Sequence, residues 1–256
     1  MGKKISSGYI SATINGIKIN SSIQCNSTNK NNNSERTVSY IVMHYTGNKK
    51  DTAKANANYF KGKNRGASAH FFVDDSNIYQ SVELRDTAWH CGANSYKHSN
   101  CRNFNSIGIE MCCTAGNYKI SSKTIDNAAH LVAKLCKDLG IAAKEVDKYV
   151  LRHYDVTGKA CPKQMSDGGK YDADWVDFLN DVRAYMGATE IAAPRKSYLV
   201  KVTASALNIR KGAGTSYPIT GVIKDKGIYT IVETDGSWGK LKSGKGWIHL
   251  GYTKLA

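Results

Sequence analysis

The chain has 256 residues, of which 41% are hydrophobic and 22% are charged, enough to bury one substantial core and a second small one, so two domains are expected. The formal net charge is +15, and the basic residues are scattered, which excludes a charged tail and favours attraction to a polyanionic partner. Nucleic acid, an anionic membrane surface and a bacterial wall polymer all satisfy that condition.

Seven cysteines, an odd number without the spacing of a small disulfide scaffold, predict reduced thiols. The first residues are polar and β-branched, and they lack the apolar stretch of about 7–15 residues that an export signal needs. No later segment is long enough to cross a membrane. We therefore expect no signal peptide and no membrane span.

The first half of the chain predicts short strands and one helix. Residues 9–20 alternate and turn at Asn15-Gly16, which predicts a hairpin. Residues 26–36 are rich in Asn and Ser and predict a loop. Apolar patterns then predict, in order, a strand at 38–44, a helix at 53–60, a strand pair at 69–73 and 78–80, and a strand at 107–111.

The second half predicts two more helices and then changes character. Apolar residues recur at helical spacing from Ser122 until Gly140, which predicts a helix packed on the sheet. A strand at 146–151 and a helix at 174–186 complete a mixed α/β domain over residues 1–186. A linker at 187–197 and a small all-β barrel at 198–256, with short strands between glycine-rich turns, follow.

A loop near the end of the first domain carries two residue types that bind zinc. His153 and Cys161 flank a glycine turn, and imidazole and thiolate are ligands that tetrahedral Zn²⁺ prefers. A third ligand is required, and His44, where an apolar strand meets a loop, is the candidate. Glu110 also ends an apolar strand, where an unpaired carboxylate is costly, so it needs a partner or a chemical task.

Several segments together resemble one enzyme family, the type-2 N-acetylmuramoyl-L-alanine amidases, which are related to peptidoglycan recognition proteins. The resemblance covers residues 35–186, and the segments that carry it are Ile-Val-Met-His-Tyr-Thr at 41–46, Ala-Ser-Ala-His-Phe at 67–71, Ala-Trp-His at 88–90, Ser-Ile-Gly-Ile-Glu at 106–110, and 153–162. It implies a mixed central sheet flanked by helices. It also implies one Zn²⁺ per chain, bound by His44, His153 and Cys161, with water in the fourth position.

The resemblance also assigns roles around the metal. Glu110 becomes the general base, and Lys159 faces the oxyanion of the tetrahedral intermediate. A tyrosine that assists zinc in one branch of the family is replaced by Ala69 here, so that role falls to Glu110. His70, Trp89 and His90 are then substrate-binding residues or structural ones, with Trp89 offering an apolar face to a sugar ring.

The C-terminal segment resembles bacterial SH3-like wall-binding domains. The resemblance is carried by Leu-Asn-Ile-Arg-Lys-Gly at 207–212, Trp-Gly-Lys-Leu at 238–241 and Gly-Trp-Ile at 246–248. Tyr217, Trp238 or Trp247 would stack on sugar or peptide, although in so small a barrel at least one tryptophan is expected in the core.

Together these observations predict a zinc amidase that cuts the bond between the lactyl group of N-acetylmuramic acid and L-alanine. Its partners would be peptidoglycan and anionic wall polymers, not nucleic acid. We expect a bacteriophage endolysin, made in the host cytoplasm without a signal peptide and acting on the wall after release. The alternatives are a bacterial autolysin of the same activity, a non-catalytic peptidoglycan-binding protein, and a wall peptidase in which Cys161 is the nucleophile and no metal is needed.

Overall fold

The structure, a computed structural model, describes residues 2–166, 172–187, 198–215, 217–235 and 237–255. The chain forms two compact units, Met1–Glu190 and Ile191–Ala256. The predicted linker at 187–197 lies outside the described residues except for Gly187. All seven cysteines are free and buried, as the odd count predicted. Among the described residues, no helix has the length and apolarity needed to cross a membrane.

The N-terminal unit is a mixed α/β fold. Its strands are β1 (Lys3–Ile5), β2 (Thr13–Ile14), β3 (Ile17–Asn20), β4 (Lys30–Asn31), β5 (Arg36–Val38), β6 (Tyr40–Tyr45), β7 (Phe71–Val73), β8 (Ile78–Gln80), β9 (Thr87–Ala88), β10 (Ser106–Met111) and β11 (Val150–Arg152). Its helices are α1 (Ala53–Lys61), α2 (Ser122–Leu139), α3 (Val146–Tyr149), α4 (His153–Thr157) and α5 (Ala173–Tyr185). The seven-stranded central sheet has the order β11-β6-β10-β7-β8-β3-β2.

The centre of this sheet is parallel and apolar. Strands β11, β6, β10 and β7 all run in the same direction. The interiors of β6 and β10 are almost fully buried, which is typical of parallel strands covered on both faces. The carboxyl ends of β6, β10 and β11 therefore meet at one edge of the sheet, and these ends carry His44, Glu110 and the chain leading to His153.

Helix α2 forms as the sequence predicts. The Ser121 hydroxyl accepts from the backbone N–H of Thr124 at the start of the helix. Gly140 ends the helix with a left-handed φ of 73°, a conformation that costs glycine little. The predicted apolar face is buried in the main core, together with the inward residues of α5.

Two predicted elements differ from the structure. Residues 26–36 are not a plain loop, because they include the short strand β4, which pairs with β9, and the first residue of β5, which pairs with β1. Asn29, just before β4, is buried, and its amide donates to the backbone oxygens of Phe60 and Gly62. The predicted strand at 146–151 begins as helix α3 instead. Val146 and Val150 are four residues apart and both buried, a spacing that suits a helical turn as well as a strand.

The C-terminal unit is an all-β sheet. Its strands are β12 (Tyr198–Val202), β13 (Leu207–Arg210), β14 (Ile219–Ile223), β15 (Ile228–Asp235), β16 (Trp238–Leu241), β17 (Trp247–His249) and β18 (Thr253–Leu255), in the order β14-β13-β17-β16-β15-β12-β18. Its buried core is aliphatic, with members such as Val200, Ile231 and Ile248. Both Trp238 and Trp247 are only half-buried, so the expectation that one fills the core is wrong.

Candidate active site

Three buried side chains, His44, His153 and Cys161, converge at the carboxyl edge of the central sheet. One ligand atom from each lies within 4.8 Å of the others. The Sγ atom of Cys161 is 3.8 Å from Nδ1 of His44, and the rings of His44 and His153 are 4.8 Å apart between centroids. These are the three residues that the sequence singled out as ligands.

The local fold explains how residues eight positions apart come together. Arg152 is buried, and its guanidinium donates two hydrogen bonds to Asp155, from Nε to Oδ2 over 2.9 Å and from Nη2 to Oδ1 over 2.7 Å. Helix α4 ends at Gly158, whose φ is 88°. The chain then folds back, and the Tyr154 N–H donates to the Cys161 carbonyl over 3.0 Å. Arg152 and Asp155 are not among the residues predicted from the sequence, although an arginine next to a candidate ligand histidine on an apolar strand is a signal of such a role.

Burial sets the protonation of the three groups. It lowers the pKa of His44 well below its usual range, with His90 and His153 adding to the effect, and lowers that of His153 to about 4. Burial raises the pKa of the Cys161 thiol to about 12. Neutral imidazoles are ready to ligate a metal. A buried thiol of this kind stays protonated, and is therefore a poor nucleophile, unless a metal ion deprotonates it and takes it as a ligand.

Glu110 lies beside the histidine cluster. It pairs in register with His44 across the parallel strands β10 and β6. Its Oε2 atom is buried and has no hydrogen-bond partner among the described residues. Burial raises the pKa of Glu110 to about 8, Lys159 opposes that rise, and Asp51 adds to it. Burying a carboxylate oxygen without a hydrogen-bond partner costs free energy, so we expect Glu110 to take part in the reaction.

Lys159 is exposed, in the loop between α4 and Cys161. Its positive charge favours the ionised form of Glu110 and disfavours the charged form of His153. The exposed Lys159 ammonium therefore lowers the pKa of both Glu110 and His153.

The three proposed substrate residues have different surroundings. His70 is fully buried, with Nδ1 accepting from the Gly108 N–H over 3.0 Å and Nε2 2.8 Å from Nη2 of Arg36. Of the two roles expected for His70, this favours the structural one. Trp89 is half-buried, and its indole N–H donates to Oδ1 of Asn31 over 2.6 Å. His90 lies against His44, with the two rings edge to face and 5.1 Å between centroids.

The aromatic residues predicted to bind the wall lie in the C-terminal unit. Tyr217 is 48% exposed, the most accessible of the three. Trp238 packs edge-on against His249, and the Lys240 ammonium lies 5.7 Å from the centre of the Trp247 ring. All three retain accessible surface.

The residues present fit a zinc ion. Two imidazoles and one thiol form a nitrogen and sulfur donor set that suits tetrahedral zinc, and three protein ligands leave one position open, as in catalytic sites. The partnerless oxygen of Glu110 beside this set is what a site for an activated water requires.

Comparison with known proteins is consistent with this geometry. Residues 34–164 match the N-acetylmuramoyl-L-alanine amidase family, and residues 205–254 match the bacterial SH3 domain family. The chain is 32% identical over 191 residues to a probable N-acetylmuramoyl-L-alanine amidase of Bacillus licheniformis, covering 70% of this chain and 51% of that protein. It is 36% identical over 146 residues to the amidase CwlH of Bacillus subtilis strain 168, covering 56% of this chain and 52% of the relative.

Solved structures show the same fold. A mutant endolysin from Bacillus subtilis matches with a TM-score of 0.53 at 29% identity, covering 65% of this chain and 99% of that one. The catalytic domain of XlyA matches with a TM-score of 0.51 at 29% identity, covering 67% of this chain and all of the domain. The chain spans about half the length of the curated relatives it matches. With half of its residues matching the family, the chain belongs to the N-acetylmuramoyl-L-alanine amidases.

Proposed function

We propose that this protein is a zinc-dependent peptidoglycan hydrolase that cleaves the amide bond between the lactyl group of N-acetylmuramic acid and L-alanine. The observation that carries the proposal is the convergence of ligand atoms from His44, His153 and Cys161 within 4.8 Å beside Glu110. Membership of the amidase family supports the substrate class.

Glu110 and Lys159, which lie next to the metal-ligand cluster, have different roles in amide hydrolysis. Bound zinc supplies a Lewis acid and lowers the pKa of a coordinated water to about 7. Glu110 acts in its ionised form, which the charge of Lys159 favours. It accepts the proton of the attacking water at its free Oε2 atom and delivers a proton to the leaving nitrogen of L-alanine. The Lys159 ammonium stabilises the negative charge that develops on the carbonyl oxygen in the transition state.

We propose that the C-terminal unit binds the cell wall. Residues 191–256 contain 11 Lys and Arg against 3 Asp and Glu, so this unit carries +8 of the chain's +15 charge. A basic surface attracts anionic wall polymers, and exposed aromatic side chains such as Tyr217 stack on sugars. The match to bacterial SH3 domains supports this role.

We further propose that the protein acts as a phage endolysin, made in the host cytoplasm and reaching the wall after release. Similarity to the Bacillus subtilis endolysin supports this role. An autolysin would have the same chemistry, so the gene neighbourhood, and not an assay, separates these two roles.

Two other classes predict different outcomes. In a cysteine peptidase Cys161 would attack the substrate as a thiolate, yet burial holds its thiol protonated when no metal is bound. A non-catalytic binding protein would not need an unpartnered carboxylate beside three ligand atoms.

The test is product analysis on purified walls, with and without a strong chelator. The proposal predicts release of new N-terminal alanine without new reducing sugar, and loss of that release after chelation. New reducing sugar, or peptide cleavage that survives chelation, would contradict it.

A further inference from the structure

A chain of hydrogen bonds runs from His44 away from the metal-ligand cluster. Nε2 of His44 lies 3.0 Å from Nδ1 of His90, and Nε2 of His90 lies 3.1 Å from Oγ of Ser106. The Ser106 hydroxyl in turn donates to the backbone oxygen of Arg102 over 2.6 Å. The chain therefore has four members and ends on a carbonyl that can only accept.

The terminal carbonyl fixes the direction of every bond in this chain. Since Ser106 gives its only proton to Arg102, its Oγ accepts from Nε2–H of His90. A neutral imidazole that donates from Nε2 accepts at Nδ1, so His90 accepts from Nε2–H of His44. His44 then keeps an unprotonated Nδ1, the nitrogen that faces Cys161 Sγ at 3.8 Å. This is the tautomer that a metal ligand needs.

The surroundings of His90 hold its ring in this position. Oδ1 of Asn103 accepts from the backbone N–H groups of His90 and Cys91, over 3.1 and 2.8 Å. The ring lies on strand β10 at Gly108, where a Cβ atom would come within 2.4 Å of the His90 Cγ atom. Glycine at this position therefore leaves the space that the imidazole occupies.

We infer that His90, oriented by Ser106 and by the space above Gly108, is a positioning residue that sets the tautomer and ring angle of His44 for metal binding, and not a substrate-binding residue. This rests on the proposed zinc site. Partners of this kind typically change metal affinity by about 10- to 100-fold when they are removed.

Zinc affinity of the full chain, measured by competition with a chromogenic chelator, tests the inference. Ser106→Ala and His90→Ala are each expected to weaken zinc binding by about 10- to 100-fold. In the double variant the two losses should not add, because both substitutions break the same chain. Ser81→Ala is the matched control, since Ser81 is equally buried but its hydroxyl has no hydrogen-bond partner among the described residues. Its zinc affinity should equal that of the unmodified protein.

A second measurement does not depend on metal at all. Long-range ¹H–¹⁵N NMR spectra of the zinc-free protein should show His44 and His90 each protonated at Nε2. Ser106→Ala should release His90 from this single tautomer, whereas Ser81→Ala should leave both rings unchanged. Protonation of His44 at Nδ1 in the unmodified protein would overturn the inference, even if the variants fold poorly.

The outcomes separate this inference from the proposed function. If the unmodified protein binds zinc and the Ser106 and His90 variants bind it equally tightly, the positioning role is wrong and the zinc amidase stands. If the unmodified protein does not bind zinc, both fail.

Discussion

In the N-terminal unit the three candidate metal ligands are buried, whereas in the C-terminal unit many large apolar side chains are exposed. His44, His153 and Cys161 are all buried. Among the described residues, six large hydrophobic side chains of the short C-terminal unit are exposed, against four in the much longer N-terminal unit. Buried polar groups favour chemistry, because their pKa values shift and water is excluded. An exposed apolar and basic surface favours adsorption.

This contrast predicts that substitutions in the two units separate turnover from wall binding. Changes at the buried cluster should reduce hydrolysis and leave adsorption intact. Changes on the barrel should do the reverse.

The largest effect is expected for Glu110→Gln. The amide keeps the size of the side chain but cannot accept a proton from water, so turnover of soluble muropeptide should fall by about 100- to 10,000-fold. Bound zinc and adsorption to walls should be unchanged. Near-normal turnover would remove Glu110 from the role of general base.

Removal of residues 190–256 should reduce adsorption to the wall and not turnover. Adsorption to purified walls is expected to weaken by about 100-fold or more, because one of two linked binding modules is lost. Turnover of soluble muropeptide should stay close to that of the full chain. Equal loss in both assays would show that the barrel serves the structure of the enzyme and not wall binding.

The raised pKa of Glu110 predicts a pH-dependent stability of the zinc-free protein. The folded state raises this pKa from 4.5 to about 8, so it holds the proton more tightly than the unfolded chain does. The stability that this tighter proton binding contributes to the folded state is fully present below pH 4.5, and it is lost as the pH rises through 8. Glu110→Gln stays neutral and should be more stable than the unmodified protein at pH 8 by a few kcal/mol, but not at pH 4.

Denaturant unfolding of both proteins at the two pH values measures this difference. Glu35→Gln, at an exposed carboxylate paired with Lys4, is the control and should follow the unmodified protein. A constant difference between the Glu110 variant and the unmodified protein at both pH values would contradict the buried position of the carboxyl.

The smallest effect is expected for Tyr217→Ala on the barrel. Loss of one exposed aromatic ring should weaken adsorption to walls by about two- to tenfold, with turnover of soluble substrate unchanged. Tyr59→Ala, an equally exposed tyrosine of the N-terminal unit, is the matched control and should not alter adsorption. If both variants adsorb as the unmodified protein does, Tyr217 is not a wall contact.

The sequence predicted the elements whose patterns are long and regular. Helix α2, with its serine cap and terminal glycine, and the apolar strands β6 and β10 lie where the periodicity places them. The segment of helix α3 predicts a strand because Val146 and Val150, four positions apart, share one face in a strand as well as in a helical turn. Residues 26–36 predict a loop because their Asn and Ser content does not show that tertiary contacts bury the amide of Asn29.

The same limit applies to the site. Residue type and position made His44, Glu110, His153 and Cys161 candidates, and the resemblance to the amidase family assigned them to one site. The hydrogen bonds of His90 could not be predicted, because they depend on Ser106 and Gly108 lying next to it across strand β10. Contacts between distant segments of this kind leave no local pattern in a single sequence.

The zinc content of the purified full chain, compared with that of Cys161→Ser, tests whether His44, His153 and Cys161 hold a metal for amide hydrolysis. We expect one zinc per unmodified chain, and loss of both zinc and amidase activity in the variant. An unmodified protein that contains no zinc and still releases N-terminal alanine from walls after chelation would contradict it.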